Sequence, residues 1–224
     1  MSFFITLVEM TDASRRDLEA LPKVYSLIHH GLALAEYRAL LYDVYHIVYH
    51  FCPVMDLAAA RCDDFRGVRD QLYERIEEEK GHEKWVLEDI KALGGDVSGA
   101  RASLPSAPVQ AMIAFNYHGA ERGHPCSVLG MLYMLEVVSS VYGGRVADSI
   151  ARAIRRDVEG GGFKFLLSHA SMDVGHMAKL NLLVKTIADP QAQSAIVNST
   201  RVNFFQFGRM FGEGGFTAHL TPQP

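Results

Sequence analysis

LLSHASMDVGHMAKL, residues 166–180, has the period of an α-helix and carries three polar side chains that suit a metal ion. His169, Asp173 and His176 stand at relative positions 0, 4 and 7, which at about 100° per residue fall within roughly 60° of arc on one face. Phe165 and Leu166 lie close to that face, so the polar groups are expected to point inward, where an unpaired charge is expensive. They need partners, and a metal is one. A capped or salt-bridged helix surface is the other reading of the same spacing.

Outward from this segment, apolar residues recur at three- and four-residue intervals almost throughout, and alternating Val, Ile and Thr runs between hairpin turns are hard to find. The chain reads as all-α. Breakers divide it into about seven helices. The first runs from near Ser14 to His30 and is interrupted at Pro22; the second covers Leu32 to Cys62, with a kink expected from Pro53. The third, Asp64 to Leu93, ends at Gly94-Gly95 and leads into the longest internal loop, up to Pro105. Ser106 to Arg122 and Cys126 to Tyr142 follow, then a short helix to about Val158. Another runs from the Gly160-Gly161-Gly162 break to Ile187, and Asp189-Pro190 caps a last one. The 224 residues suit one domain, 1–213, and the tail 214–224 is expected to be mobile.

The 22 basic and 26 acidic residues leave a net charge of -4, without the basic excess that a phosphate backbone requires, so no nucleic-acid partner is expected. The apolar opening, Phe3 to Val8, lacks a basic lead-in and a small-residue cleavage site, and no uncharged apolar run reaches about 18 residues. No membrane contact and a cytoplasmic location are expected. Cys52, Cys62 and Cys126 are odd in number and lack paired spacing, which supports neither a disulfide framework nor a cysteine zinc cluster.

Two further elements join the first. In EEEKGHEKW, residues 77–85, Glu79 and His82 form Glu-x-x-His, the pairing by which one helix offers a carboxylate and an imidazole to one ion. Most of the acidic run must face solvent, and Glu78 is the reserve for Glu79. In SVLGMLYMLEVVSSVYG, residues 127–143, Glu136 is a lone carboxylate in a helix apolar on nearly every side, so it is neutralised by a metal, by an arginine, or by facing solvent at a helix edge. Together the three elements supply three carboxylates and three histidines, a set that suits Fe or Mn and is large enough for two ions. Ferritin-like proteins use Glu-x-x-His twice; here the second copy is absent.

The set His82, Glu136, His169, Asp173 and His176, preceded by an acid one turn before the first histidine, resembles the haem-oxygenase-like di-iron oxidases. The likeness spans about Tyr37 to Leu183. It rests on the 54-residue step from His82 to Glu136, on EEEKGHEKWVLEDIKALGGD, and on Pro125, Leu129 and Gly130 ahead of Glu136. Some members of that family have a further Glu 36 residues before this histidine, a position held here by His46. His46 and His50 lie beside the predicted kink and could both face the site, or could pack in an aromatic core.

The resemblance implies a haem-oxygenase-like bundle and an O2-activating non-haem di-iron oxygenase. Two irons per chain (or Mn) would be held by Glu79, His82, Glu136, His169, Asp173 and His176, with Glu136 expected to bridge. It implies O2 as co-substrate and oxidation of a small amine, amino acid or fatty-acid-like molecule by N-oxygenation, oxidative C–C cleavage or decarboxylation. It also implies a homodimer, for which the late cluster Phe204, Phe205, Phe207 and Phe211 could form an interface or simply close the core. Tyr45, Tyr49, Phe115 and Tyr133 are candidate pocket walls, although aromatics at helical spacing are usually core. Three alternatives stand beside this reading. One is a metal-free, thiaminase-like hydrolase using Cys126 or a cofactor-free oxidase; another is haem cleavage using His29 or His30; the third is an iron-binding module without catalysis.

Overall fold

The computed structural model describes residues 2–212 and 215–216. Among these residues the chain forms ten α-helices and no strand. They are α1 (Phe3–Glu19), α2 (Pro22–His30), α3 (Leu34–Ala59), α4 (Arg66–Glu79), α5 (Glu83–Ala92), α6 (Val97–Ala102), α7 (Ala107–Glu121), α8 (Val128–Ala153), α9 (Lys164–Val184) and α10 (Pro190–Arg209). The apolar α8 is the central rod: α9, α10 and α2 pack around it, while α3 lies against α7, α4 and α5. By length and composition the Pro125–Ala153 segment could cross a membrane, but 67% of its most apolar window is buried in the bundle, as expected of a core helix.

Several boundaries differ from the sequence reading, each for a local reason. The first helix begins at Phe3, because Phe3, Leu7, Thr11 and Leu18 form one buried face. The helix expected over 64–93 is two helices: Lys80 is extended and Gly81 has φ +90°, a conformation that only glycine adopts freely. The expected loop before Pro105 contains α6, capped by the Asp96 carboxylate, which accepts from Ser98 N–H. The helices expected on either side of Gly143-Gly144 are one, α8. A Cβ on Gly143 would lie 3.2 Å from Ala170 Cβ and 3.3 Å from the Leu166 carbonyl, so the glycine is where α9 presses closest. Of the tail from Gly214, only Gly215 and Phe216 fall within the described residues, and the Phe216 ring is buried against Phe211.

Pro53 sits inside α3, which continues through it to Ala59. The N-terminus of α9 is fixed by a residue far away in sequence: the Asp89 carboxylate accepts from the backbone N–H groups of Lys164 and Phe165, at 2.8 Å each. Tyr37 OH donates to the Gly162 carbonyl just before it. The helix bearing three of the candidate ligands is thereby held to α3 and α5.

Candidate metal centre

Glu79 ends α4, His82 caps α5, Glu136 lies in the first half of α8, and His169, Asp173 and His176 follow one another on α9. All six are buried. The polar atoms of Glu79, His82 and His169 lie within 4.8 Å of one another, and so do those of Glu79, Asp173 and His176. Two imidazoles with one carboxylate suit non-haem Fe(II), and the second group adds one further carboxylate, Asp173, and one further imidazole, His176. Glu79 is the carboxylate common to both groups, whereas Glu136, expected to bridge, stands in neither.

The rings are oriented by outer contacts, as metal-binding histidines usually are. His169 Nδ1 lies 3.1 Å from the Phe165 carbonyl, which can only accept, so Nδ1 carries a proton and Nε2 faces inward. That Nε2 is 3.3 Å from Glu79 Oε2 and 3.3 Å from His82 Nδ1, and the His82 Nδ1 to Glu79 Oε2 distance is 2.9 Å. Trp85 stacks on His82 with ring centroids 3.8 Å apart. His176 Nδ1 is 2.9 Å from Asp173 Oδ1 and 3.6 Å from Glu79 Oε1, while its Nε2 is 3.4 Å from Glu78 Oε2. Glu78, the reserve ligand, is half-buried at the rim and accepts from Lys179 Nζ at 2.7 Å.

Burial alone would raise the Glu79 carboxyl, but hydrogen bonds and charge from His169 and His82 hold it well below the usual glutamate range. Burial alone would lower His169; the bond and charge of Glu79, with Asp173, lift it above the usual imidazole value. The cluster is thus built to keep Glu79 anionic and facing a cation. Glu136 behaves differently. Burial pushes its carboxyl up to about 8, with Arg75 pulling it down and Asp173 and Glu79 pushing it further up. Arg75 Nη2 approaches Glu136 Oε1 to 2.7 Å but off the hydrogen-bonding direction, so both Glu136 oxygens are buried without a hydrogen bond. Oε1 is held by the charge of Arg75 and Oε2 has no partner among the described residues, so an ion beside the two donor groups would satisfy Glu136, and the residues present fit one.

These groups form the polar end of a cavity of about 170 Å³. Arg75, Glu79, Glu136, His169 and Asp173 line it on one side, and the remaining wall is nearly all aliphatic and aromatic: Leu40, Val44, Ile47 and Phe51 from α3, Leu27 and Ile28 from α2, Phe207 and Phe211 at the other edge. Glu136, Ser139, Gly143 and Val146 form one stripe of α8 along it, about 15 Å long at 1.5 Å per residue. Glu19 and Tyr142, hydrogen-bonded to each other, add a second polar point away from the metal ligands.

The other candidates lie elsewhere. His46 Nε2 is 2.9 Å from Ser103 Oγ and His50 Nδ1 is 3.0 Å from Tyr117 OH, so both serve the α3–α6–α7 side. Tyr45, Tyr49, Phe115 and Tyr133 do not line this cavity. On α3 the cavity face is Leu40, Val44, Ile47 and Phe51, and Tyr45 and Tyr49 fall outside that stripe; Tyr133 turns to Phe4 of α1. Cys126 is fully buried away from the cavity, its thiol pushed far up by the hydrogen bond with Cys62 and by burial. His29 and His30 are exposed at the end of α2. Arg75 and Asp89 escaped the sequence reading. Arg75 lies one turn before Glu79, a position from which a cation reaches buried acids; nothing local marks Asp89 as a cap for α9.

The chain is thus an all-helical bundle with a buried histidine and carboxylate cluster bordering an apolar cavity. Residues 38–203 match the family described as iron-containing redox enzymes, and the chain belongs to it. Among solved structures it is similar to a domain of unknown function with a heme oxygenase-like fold from Shewanella denitrificans, at 21% identity over 94% of this chain and 90% of that one, TM-score 0.82. A TenA homologue from P. horikoshii is 14% identical over 96% and 100%, TM-score 0.75. Heme oxygenase-1 from the cyanobacterium Synechocystis, in complex with heme, is 17% identical over 98% and 96%, TM-score 0.74. At these identities the likeness shows the heme oxygenase-like fold. No curated protein matches the chain.

Proposed function

We propose that this chain is a non-haem di-iron oxidase or oxygenase that activates O2 against a small substrate with an elongated aliphatic body and one polar end. The observation that carries the reading is the continuity of the two parts: Glu79, Glu136, His169 and Asp173 are at once the candidate ligands and the polar end of the apolar cavity. Glu79, His82 and His169, and Glu79, Asp173 and His176, would hold the metal, with Glu136 beside them. Bound iron would supply the one-electron steps that O2 chemistry needs and that these side chains lack. The chain's own residues do the rest. Asp89 fixes α9, Phe165 orients His169, Trp85 braces His82, and the aliphatic walls exclude water and align the substrate body.

The metal-free, thiaminase-like alternative has less support, because Cys126 is buried outside the cavity. The test is an anaerobic Fe(II) titration followed by mixing with O2, comparing the native protein with His176→Ala. Two irons per chain and a transient absorbance in the native protein alone are expected. Straight-chain amines, amino acids and carboxylic acids of graded length then serve as substrates, with O2 uptake and product formation measured together. Iron binding without turnover would leave a storage module, and full activity in chelator-treated protein would refute the metal reading.

A further inference from the structure

A buried cation already faces the metal ligands. Arg75 on α4 is only 6% exposed. Its Nη2 is 2.7 Å from Glu136 Oε1, its Nη1 is 3.5 Å from Glu79 Oε1, and its Nε is 3.9 Å from Glu78 Oε2. These contacts fall on one side of the centre. Glu79 Oε1, the oxygen that Arg75 approaches, is also the one 3.6 Å from His176 Nδ1. Glu79 Oε2 is instead turned to the imidazoles of His82 and His169.

The two donor groups therefore meet a cation under different conditions. An ion entering among Glu79 Oε2, His82 and His169 meets two rings and a carboxylate. An ion entering among Glu79, Asp173 and His176 arrives beside a fixed guanidinium that shares its carboxylate oxygen. An arginine cannot lose its charge in a protein, and like charges a few ångströms apart in a desolvated site repel strongly.

We propose that Arg75 is a resident counter-cation for the Asp173 and His176 half of the centre. It makes metal binding unequal: the Glu79–His82–His169 group fills first, and the Glu79–Asp173–His176 group fills against the charge of Arg75. Before metal arrives, the same guanidinium offsets the charge of buried Glu79 at the point where four acidic side chains crowd one site. The inference rests on the iron reading above and adds a residue that the ligand pattern does not contain.

Anaerobic calorimetric titration with Fe(II) tests it without any turnover. The native protein should bind one ion tightly and a second at least tenfold more weakly. Arg75→Met should tighten the second ion at least tenfold and change the first by less than threefold, whereas Arg75→Lys, which keeps the charge, should leave the second ion weak. Arg75→Gln retains an N–H donor for the buried acids and replaces Arg75→Met if the latter does not fold. Two equal sites in the native protein, an unaltered second site in the neutral variants, or equal tightening in Arg75→Lys would each overturn the proposal while leaving the iron reading intact. No iron bound by the native protein would overturn both.

Discussion

Replacing Glu136 with glutamine should remove a steep pH dependence from the stability of the metal-free chain. Glu136 is 3% exposed, and burial lifts its carboxyl from 4.5 to about 8. Between those values the folded chain holds a proton that the unfolded chain has released, so stability falls as pH rises. Each pH unit removes about 1.4 kcal/mol. Over the interval from 4.5 to about 8 the loss is about 4–5 kcal/mol. This stability is complete below the usual glutamate range and gone above about pH 8. Glutamine has the shape of the protonated acid and no proton to lose. In urea titrations of chelator-treated protein followed by circular dichroism, Glu136→Gln should match the native chain near about pH 5 and exceed it by about 3–5 kcal/mol near about pH 8.5. Comparing the two proteins at each pH cancels the contributions of Glu79 and His169, which both contain. A difference that stays flat across the range would refute the reasoning, because it would mean that Arg75 keeps Glu136 ionised throughout.

Asp89→Ala removes both acceptors for the first N–H groups of α9. It should cost about 1–2 kcal/mol in thermal denaturation and weaken Fe(II) binding, since three candidate ligands ride on that helix. Gly130→Ala would set a Cβ 2.5 Å from the Ile196 carbonyl and 2.7 Å from Thr200 N on α10. It should destabilise by about 1–3 kcal/mol or more. Gly144→Ala, with nothing within 4 Å of the new Cβ, should instead stabilise α8 by up to about 1 kcal/mol; equal effects of the two glycine changes would contradict the helix packing. Val138→Phe fills the cavity wall. The iron stoichiometry should persist while thermal shifts caused by straight-chain ligands disappear.

The helical period was legible almost everywhere, because each helix buries one face against its neighbours. Glycine and proline were harder to weigh. Gly143-Gly144 looks like a stop, yet α8 runs through it, since closer packing on α9 at Gly143 offsets a helix cost of about 1 kcal/mol per glycine. Gly81 looks incidental, yet its positive φ ends α4. The difference lies in tertiary contacts, which no window of sequence contains. Likewise the spacing of His169, Asp173 and His176 marks them as neighbours on a face. The family resemblance already grouped Glu79 and His82 with them, and the fold adds that the two come from separate helices, α4 and α5. The apolar character of the α8 segment around Glu136 signalled that the acid needs neutralising. That Arg75 lies 2.7 Å from it depends on how α4 leans against α8, and the same kind of packing turned Tyr45 and Tyr49 away from the cavity.

The break at Gly81 also places the carboxyl end of α4 at Glu79. A helix ends with a partial negative charge of about half an electron on its last carbonyls. In a continuous helix through His82 that charge would be carried past the centre, to the far end near Leu93. Stopping α4 where it does leaves the backbone's own field at the residue shared by both donor groups. The opposite partial charge, at the N-terminus of α5, falls at His82, so the break sets a main-chain dipole across the Glu79 and His82 pair.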